Sequence, residues 1–113
     1  MSRTNPIVYV PQMVKGRNVS MALRFGAIVP ILHEDPELYA LDRAIKKLKE
    51  GLANYTAHDH LLLMGDPVVI GIATMIAGQN TGGYVNLLKF DRQMFDYLGV
   101  IVDLREPVRR EEN

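Results

Sequence analysis

Two histidines flank an aspartate in the segment His58-Asp59-His60, and imidazole and carboxylate groups are common ligands of divalent metals. On a β-strand the two histidines share one face, and the aspartate lies on the other. The only further histidine is His33, which closes the second predicted strand, whereas His58 and His60 open the third. A helix that joins two parallel strands brings those positions to opposite edges of the sheet. We therefore interpret the histidines as polar surface residues and assign no metal site.

The turn Gly65-Asp66-Pro67 is a second candidate site, because it ends an apolar run and begins a helical pattern. Ligands of Rossmann-like sheets bind beyond the carboxyl ends of the strands, near helix N-termini. A phosphate would be repelled by the Asp66 carboxylate, and no glycine-rich phosphate-binding motif is present. Ribose hydroxyls or a base amide stay open as ligands, while helix capping alone is the simpler interpretation. His33 and Glu34 should lie at the same edge, with or without a divalent cation beside Asp66. The candidate ligand-binding residues are Gly65, Asp66, Pro67, His33 and Glu34.

The sequence gives little support for a set of catalytic residues. The two serines, Ser2 and Ser20, do not lie in a nucleophile elbow, and the chain has no cysteine. No pair of carboxylates is placed in an apolar pocket, so general acid–base catalysis has no basis in the pattern. We assign no catalytic residue and no cofactor, and we favour a protein that is not an enzyme. A metal-dependent hydrolase is the least favoured function.

The composition is that of a soluble globular protein. The chain has 113 residues, of which 48% are hydrophobic and 23% charged, and its formal net charge is zero. This length predicts one α/β domain over residues 1–113, with flexible ends at 1–6 and 105–113. A neutral chain lacks the excess of Lys and Arg that a non-specific nucleic-acid binder needs. Since no apolar stretch reaches the ~20 residues of a membrane span and no export signal is visible, we expect a cytoplasmic protein without a membrane partner.

Strand and helix patterns alternate along the chain, which is typical of an α/β fold. Pro11 should end the first strand or confine it to a sheet edge, and Pro30 indicates an edge or a bulge in the second. Asp35-Pro36 and Asp66-Pro67 each predict a helix start, and Gly82-Gly83 predicts a helix end. Strands are predicted at 7–10, 24–32, 61–64, 84–90 and 95–104, and helices after Pro36 and over 68–78. We expect a small Rossmann-like mixed sheet of about five strands with a parallel centre, two main helices and a C-terminal β-hairpin.

The helix predicted at 68–78 has no charged residue on any face. A helix that is apolar all round must be buried all round, which one covering layer in a protein this short seldom achieves. Five small residues should let its backbone approach a sheet or a second helix closely: Gly71, Ala73, Thr74, Ala77 and Gly78. The uncovered remainder predicts self-association, with candidate interface residues Val69, Ile72, Met75 and Ile76. The favoured function is therefore a non-catalytic interaction or assembly protein that forms a homo-oligomer through this helix or an exposed strand edge. The alternative is a small-ligand, nucleotide-type binding module at the C-terminal edge of the sheet.

The segment from Asp59 to Leu104 also resembles known proteins in the order of its strand, turn and helix patterns. Its order is an apolar strand, Gly65-Asp66-Pro67, an apolar helix, a Gly-Gly turn and the sequence from Val85 to Gln93. It resembles small Rossmann-like proteins of bacteriophages, which implies a host-interaction, accessory or assembly protein in the host cytoplasm, with a host protein as a further partner. It is more faintly similar to the last βαββ portion of SAVED-type cyclic-oligonucleotide sensor domains. That likeness implies nucleotide contacts near Gly65, Asp66 and Pro67.

Overall fold

The computed structural model of the protein describes residues 5–33 and 40–105. The elements of this part are β1 (Ile7–Gln12), a 3-10 helix (Ser20–Phe25), β2 (Ala27–Leu32), α1 (Leu41–Gly51), β3 (His60–Leu62), α2 (Pro67–Thr81), β4 (Tyr84–Asp91) and β5 (Asp96–Asp103). The predictions for Glu34, for the helix start at Asp35-Pro36 and for most of the two flexible ends concern residues outside the described part.

The five strands form one mixed sheet in the order β2-β1-β3-β4-β5. Strands β1 to β4 are parallel to one another, and β5 runs antiparallel to β4. The chain first moves outward from β1 to β2 and then crosses back through α1 and α2. Since such crossovers are right-handed, the 3-10 helix lies on one face of the sheet and both α-helices lie on the other. The predicted α/β fold with a parallel centre and a C-terminal hairpin is confirmed.

Each face of the sheet has its own hydrophobic core. Successive side chains of β1 point to opposite faces of the sheet and so contribute to both cores. Tyr9 faces the α-helices, whereas Val8 and Val10 face the 3-10 helix. The helix-side core also contains Leu32, Ala44, Leu48, Leu52, Tyr55, Leu61, Val69, Ala73, Ile76, Ala77 and Val85. The core beneath the 3-10 helix also contains Ala22, Leu62, Met64, Leu88 and Tyr97.

The second strand is shorter than predicted. Arg24 and Phe25 belong to the 3-10 helix, and β2 begins at Ala27. Gly26 separates the two elements with a φ of 153°, and a Cβ at this position would collide with the carbonyl oxygen of Pro6. Only glycine fits at this position, which separates the 3-10 helix from β2.

The prediction that Pro11 ends β1 or makes it an edge strand is wrong, because β1 is internal and continues to Gln12. The reason lies in the short neighbour β3. Tyr9 is the last residue of β1 that pairs with β3, so Pro11 has a neighbouring strand on one side only and its missing N–H interrupts no pairing with β3. The edge position predicted for Pro30 is confirmed, since β2 is an outer strand of the sheet.

Helix α2 has the predicted Asp66 cap at its start and the predicted glycine at its end, and it extends beyond the predicted range of 68–78. The Asp66 carboxylate accepts a hydrogen bond of 2.8 Å from the Val68 N–H, and Pro67 occupies the first helical position. Gly82, in the left-handed conformation, ends the helix after Thr81. Within the described residues, neither α-helix combines the length and the hydrophobicity that crossing a membrane requires.

Candidate interaction surface and ligand pocket

The outer face of α2 exposes large apolar side chains. Val68 is 53% exposed and Met75 is 76% exposed. Of the other candidate interface residues, Val69 and Ile76 are buried in the core of the single chain, and Ile72 is half-buried against that core. The surface that α2 offers to another molecule therefore centres on Val68 and Met75, which corrects the assignment of Val69 and Ile76.

Gly71 lies on this same outer face. A Cβ at Gly71 would meet no atom within 4 Å, so the predicted close contact at this residue is wrong for the single chain. The approach to the sheet occurs at Gly78, another of the small residues predicted to allow it, where a Cβ would lie 3.8 Å from Cγ2 of Val85. The glycine that faces the sheet is thus one turn away from the end of α2, while Gly71 faces outward.

Strand β5 extends the sheet beyond the helix layer. Val100 lies opposite Leu87 in the β4–β5 register, and Leu98 shares its face. Leu87 packs against the helix-side core, yet Val100 is 45% exposed and Leu98 is also exposed. The cause is that α2 packs against β1 and β4, which leaves this side of β5 largely uncovered.

The free edge of β5 is uncharged along most of its length. Residues 97–102 contain no charged side chain, and in the described part of the chain β5 has β4 as its single neighbour. The charges lie at the two ends, where Asp96 forms an ion pair with Arg24 and Asp103 forms one of 2.8 Å with Arg105. Hydrogen bonds from these arginines lower the pKa of both carboxyl groups. The opposite edge differs, because β2 carries Pro30.

The His58-Asp59-His60 segment is largely structural. Asp59 is fully buried, and its carboxylate accepts hydrogen bonds of 2.8 Å from the backbone N–H of Ile7 and of Thr56. His58 is exposed, whereas His60 is half-buried, so its interpretation as a surface residue is wrong. The Nδ1 atom of His60 is buried without a hydrogen-bond partner in the described chain, and desolvation lowers the pKa of the ring. Among residues 5–33 and 40–105, no three His, Asp or Glu side chains converge as metal ligands would.

The predicted turn at Gly65-Asp66-Pro67 is tied to the end of β1. The Asp66 N–H donates a hydrogen bond of 2.7 Å to Oε1 of the buried Gln12. Gly65 adopts a φ of 123°, and a Cβ there would lie 2.6 Å from Cβ of Gln12. Asp66 is thus engaged in capping and backbone contacts. His33 is exposed just beyond β2, and Glu34 lies outside the described residues.

A cavity of about 490 Å³ lies next to this turn, on the face of the sheet that carries the 3-10 helix. Of the predicted ligand-binding residues, Gly65 lines it, and Asp66, Pro67 and His33 do not. Three separate segments form its walls: Val14, Gly16, Arg17, Asn18 and Met21; Leu62, Leu63, Met64 and Gly65; and Phe90, Phe95 and Tyr97. Sequence reasoning missed the first and third segments, because nothing in the local patterns shows that they meet.

An aromatic cluster forms the hairpin wall of the cavity. The Phe90 ring lies 5.6 Å from the Phe95 ring and 5.4 Å from the Tyr97 ring, both in edge-to-face geometry. Phe95 is 70% exposed and has a φ of 51°, a conformation that residues with a Cβ rarely adopt. Tyr97 is only 3% exposed. Burial raises the pKa of its hydroxyl, and the positive charge of Arg17 opposes this shift.

Comparison with known protein families gives a match over most of the chain. Residues 6–104 match the family model for phage Pam3 gp32-like proteins, which is consistent with the resemblance to small phage proteins. No curated protein and no solved structure shows significant similarity to the chain.

Proposed function

The chain belongs to the phage Pam3 gp32-like protein family, and from this premise we propose that it is a non-catalytic interaction or assembly protein that forms a homo-oligomer in the host cytoplasm. The observation that carries the proposal is the uncharged, unpaired edge of β5. Natural proteins protect an exposed strand edge with a charge, a proline or a covering segment. Pro30 protects β2 in this way, whereas residues 97–102 of β5 contain no charge or proline, and no other described strand pairs with their free edge.

A second copy of the chain fits this edge. Antiparallel pairing of two β5 strands around a twofold axis would join the two sheets into one. In the register that places Gly99 opposite Gly99 of the second copy, Leu98 faces Val100 on the helix side, and Tyr97 faces Ile101 on the other side. These pairs are apolar, and no like charges face each other. The pairing would cover side chains that are exposed in the single chain.

The ends of β5 favour the same arrangement. Asp96 and Asp103 would otherwise repel an incoming strand, because each end of the edge carries a carboxylate. Arg24 and Arg105 neutralise them within the same chain. The approach of a second copy therefore meets an edge that is apolar in its centre and electrically balanced at its ends.

Light scattering coupled to size-exclusion chromatography tests the proposal. The wild-type protein should have a mass above one chain at micromolar concentration. Val100→Lys should convert it to a monomer, because the substitution places a charge on the face that a second β5 would cover. Val29→Lys is the matched control: Val29 is 38% exposed on the other edge strand, and its replacement should leave the mass unchanged.

A third variant separates the strand edge from the helix. Met75→Lys places the same charge on the outer face of α2, and it should leave the mass unchanged if β5 alone forms the interface. Loss of the oligomer in Met75→Lys but not in Val100→Lys would assign the interface to α2. A wild-type protein that is monomeric at all concentrations tested would refute homo-oligomerisation and leave a host protein as the partner of the β5 edge.

A further inference from the structure

We propose that the cavity lined by Arg17, Gly65, Phe95 and Tyr97 binds a small aromatic anion, whose ring packs on Phe95 and whose negative charge pairs with Arg17. The ligand class includes nucleoside monophosphates and aromatic carboxylates, which share a planar ring and an anionic group. This inference does not require homo-oligomerisation, because the cavity lies within one chain, whereas the proposed dimer forms along the edge of β5; Tyr97 belongs to both regions.

The position and size of the cavity are those of a small-molecule site. It lies beyond the carboxyl end of β3, where open α/β sheets bind their ligands. Its volume of about 490 Å³ is within the usual range of small-ligand pockets. Most of its lining side chains are apolar, with a few polar groups among them, which is the ordinary composition of such a pocket.

Phe95 is held at the mouth of the cavity against its local preferences. A large aromatic side chain is 70% exposed there, on a backbone with a φ of 51° that glycine or asparagine would adopt more readily. The Asp91 carboxylate stabilises the turn by accepting hydrogen bonds from the N–H groups of Gln93 and Met94, at 2.8 and 3.1 Å. An exposed ring on strained backbone is explained if the ring contacts a ligand.

Two polar groups at the cavity are without partners. The Arg17 guanidinium has no ion pair and no hydrogen bond in the described part of the chain. The hydroxyl of Tyr97, which lines the cavity, likewise has no hydrogen-bond partner among the described residues and keeps contact with solvent there, although the residue as a whole is only 3% exposed. An anionic ligand would supply acceptors to both groups, since a guanidinium and a hydroxyl are donors.

Nuclear magnetic resonance titration of the intact chain tests the proposal. The probes are AMP, GMP, CMP and UMP for the nucleotides, and indole-3-acetate and benzoate for the carboxylates. At least one probe should bind with a Kd below about 1 mM and shift the amide signals of Gly16, Asn18 and Gly65. The Gly51 amide in α1 should not move. Adenosine, indole and inorganic phosphate, which lack either the charge or the ring, should bind at least roughly tenfold more weakly than the corresponding probe.

Variants then locate the ligand in the cavity. Arg17→Gln should weaken the best probe at least roughly tenfold, whereas Arg92→Gln, in the adjacent hairpin turn and outside the lining, should change its Kd by less than about twofold. Phe95→Gly should abolish binding without lowering the melting temperature, because glycine adopts this φ freely. Phe95→Trp, which restores a ring, should retain binding.

The outcomes separate the two ligand sources and the failure of the proposal. Binding of nucleotides alone or of carboxylates alone identifies the source within the proposed class. Absence of shifts at the three cavity amides with every probe would overturn the proposal. So would binding that survives both Arg17→Gln and Phe95→Gly, because the probe would then bind elsewhere.

Discussion

Replacing Asp59 by alanine should lower the free energy of unfolding by about 3–6 kcal/mol. The buried carboxylate accepts one backbone N–H from Ile7, 52 residues away in the chain, and one from Thr56, and it also accepts the Thr56 hydroxyl at 3.1 Å. Each hydrogen bond to a charged group contributes about 1.5–3 kcal/mol, and alanine would leave the two backbone donors without this acceptor. Since single domains have about 5–15 kcal/mol in total, the loss is a large share of the stability.

Urea unfolding followed by circular dichroism measures this loss. The matched control is Asp66→Ala, because the Asp66 carboxylate also accepts a backbone N–H but does so at an exposed position. Loss of that cap should cost about 1 kcal/mol. Asp59→Asn keeps one acceptor oxygen and should fall between the two. Equal losses for Asp59→Ala and Asp66→Ala would refute the argument that burial makes the Asp59 contacts strong.

Three further predictions concern single positions. Gly65→Ala should destabilise the protein by about 1–3 kcal/mol, since its Cβ would collide with Gln12 on a strained backbone, and a thermal melt measures this. Gly71→Ala, the same change in open space within a helix, should stabilise it by about 0.5–1 kcal/mol; a loss in the same melt would contradict the open position. His60 should make the protein less stable as the pH falls. Desolvation lowers the folded-state pKa of His60, although Asp59 partly opposes this, so the unfolded state binds the proton first. The stability contribution is therefore present at neutral pH and is lost as the pH falls below about 6.5. Urea midpoints at several pH values should fall less steeply for His60→Phe, and parallel curves would show that His60 has no such role.

Local signals predicted much of the fold. Asp66-Pro67 and Gly82-Gly83 mark the two ends of α2 because capping and left-handed geometry depend on residues close in sequence. The hairpin of β4 and β5 was predictable for the same reason, since its turn residues lie between two apolar runs. The 3-10 helix was not predicted, because six residues are too few to show a periodic pattern.

Contacts between distant segments account for what the sequence did not reveal. Asp59 has an ordinary polar sequence context, and its role depends on the N–H of Ile7 at the start of another strand. The cavity requires the loop before the 3-10 helix, the end of β3 and the β4–β5 hairpin to meet. Gly65 was the one lining residue predicted, because its position after β3 follows from topology alone.

The asymmetry between the two outer strands has a consequence for the size of any assembly. Pairing of two β5 strands would occupy the one unprotected edge of the described sheet. At the other edge, Pro30 in β2 disfavours the pairing of a further strand. Growth by this route would stop at two chains instead of propagating into a filament. Pro30 in β2 would thus limit the assembly to a dimer.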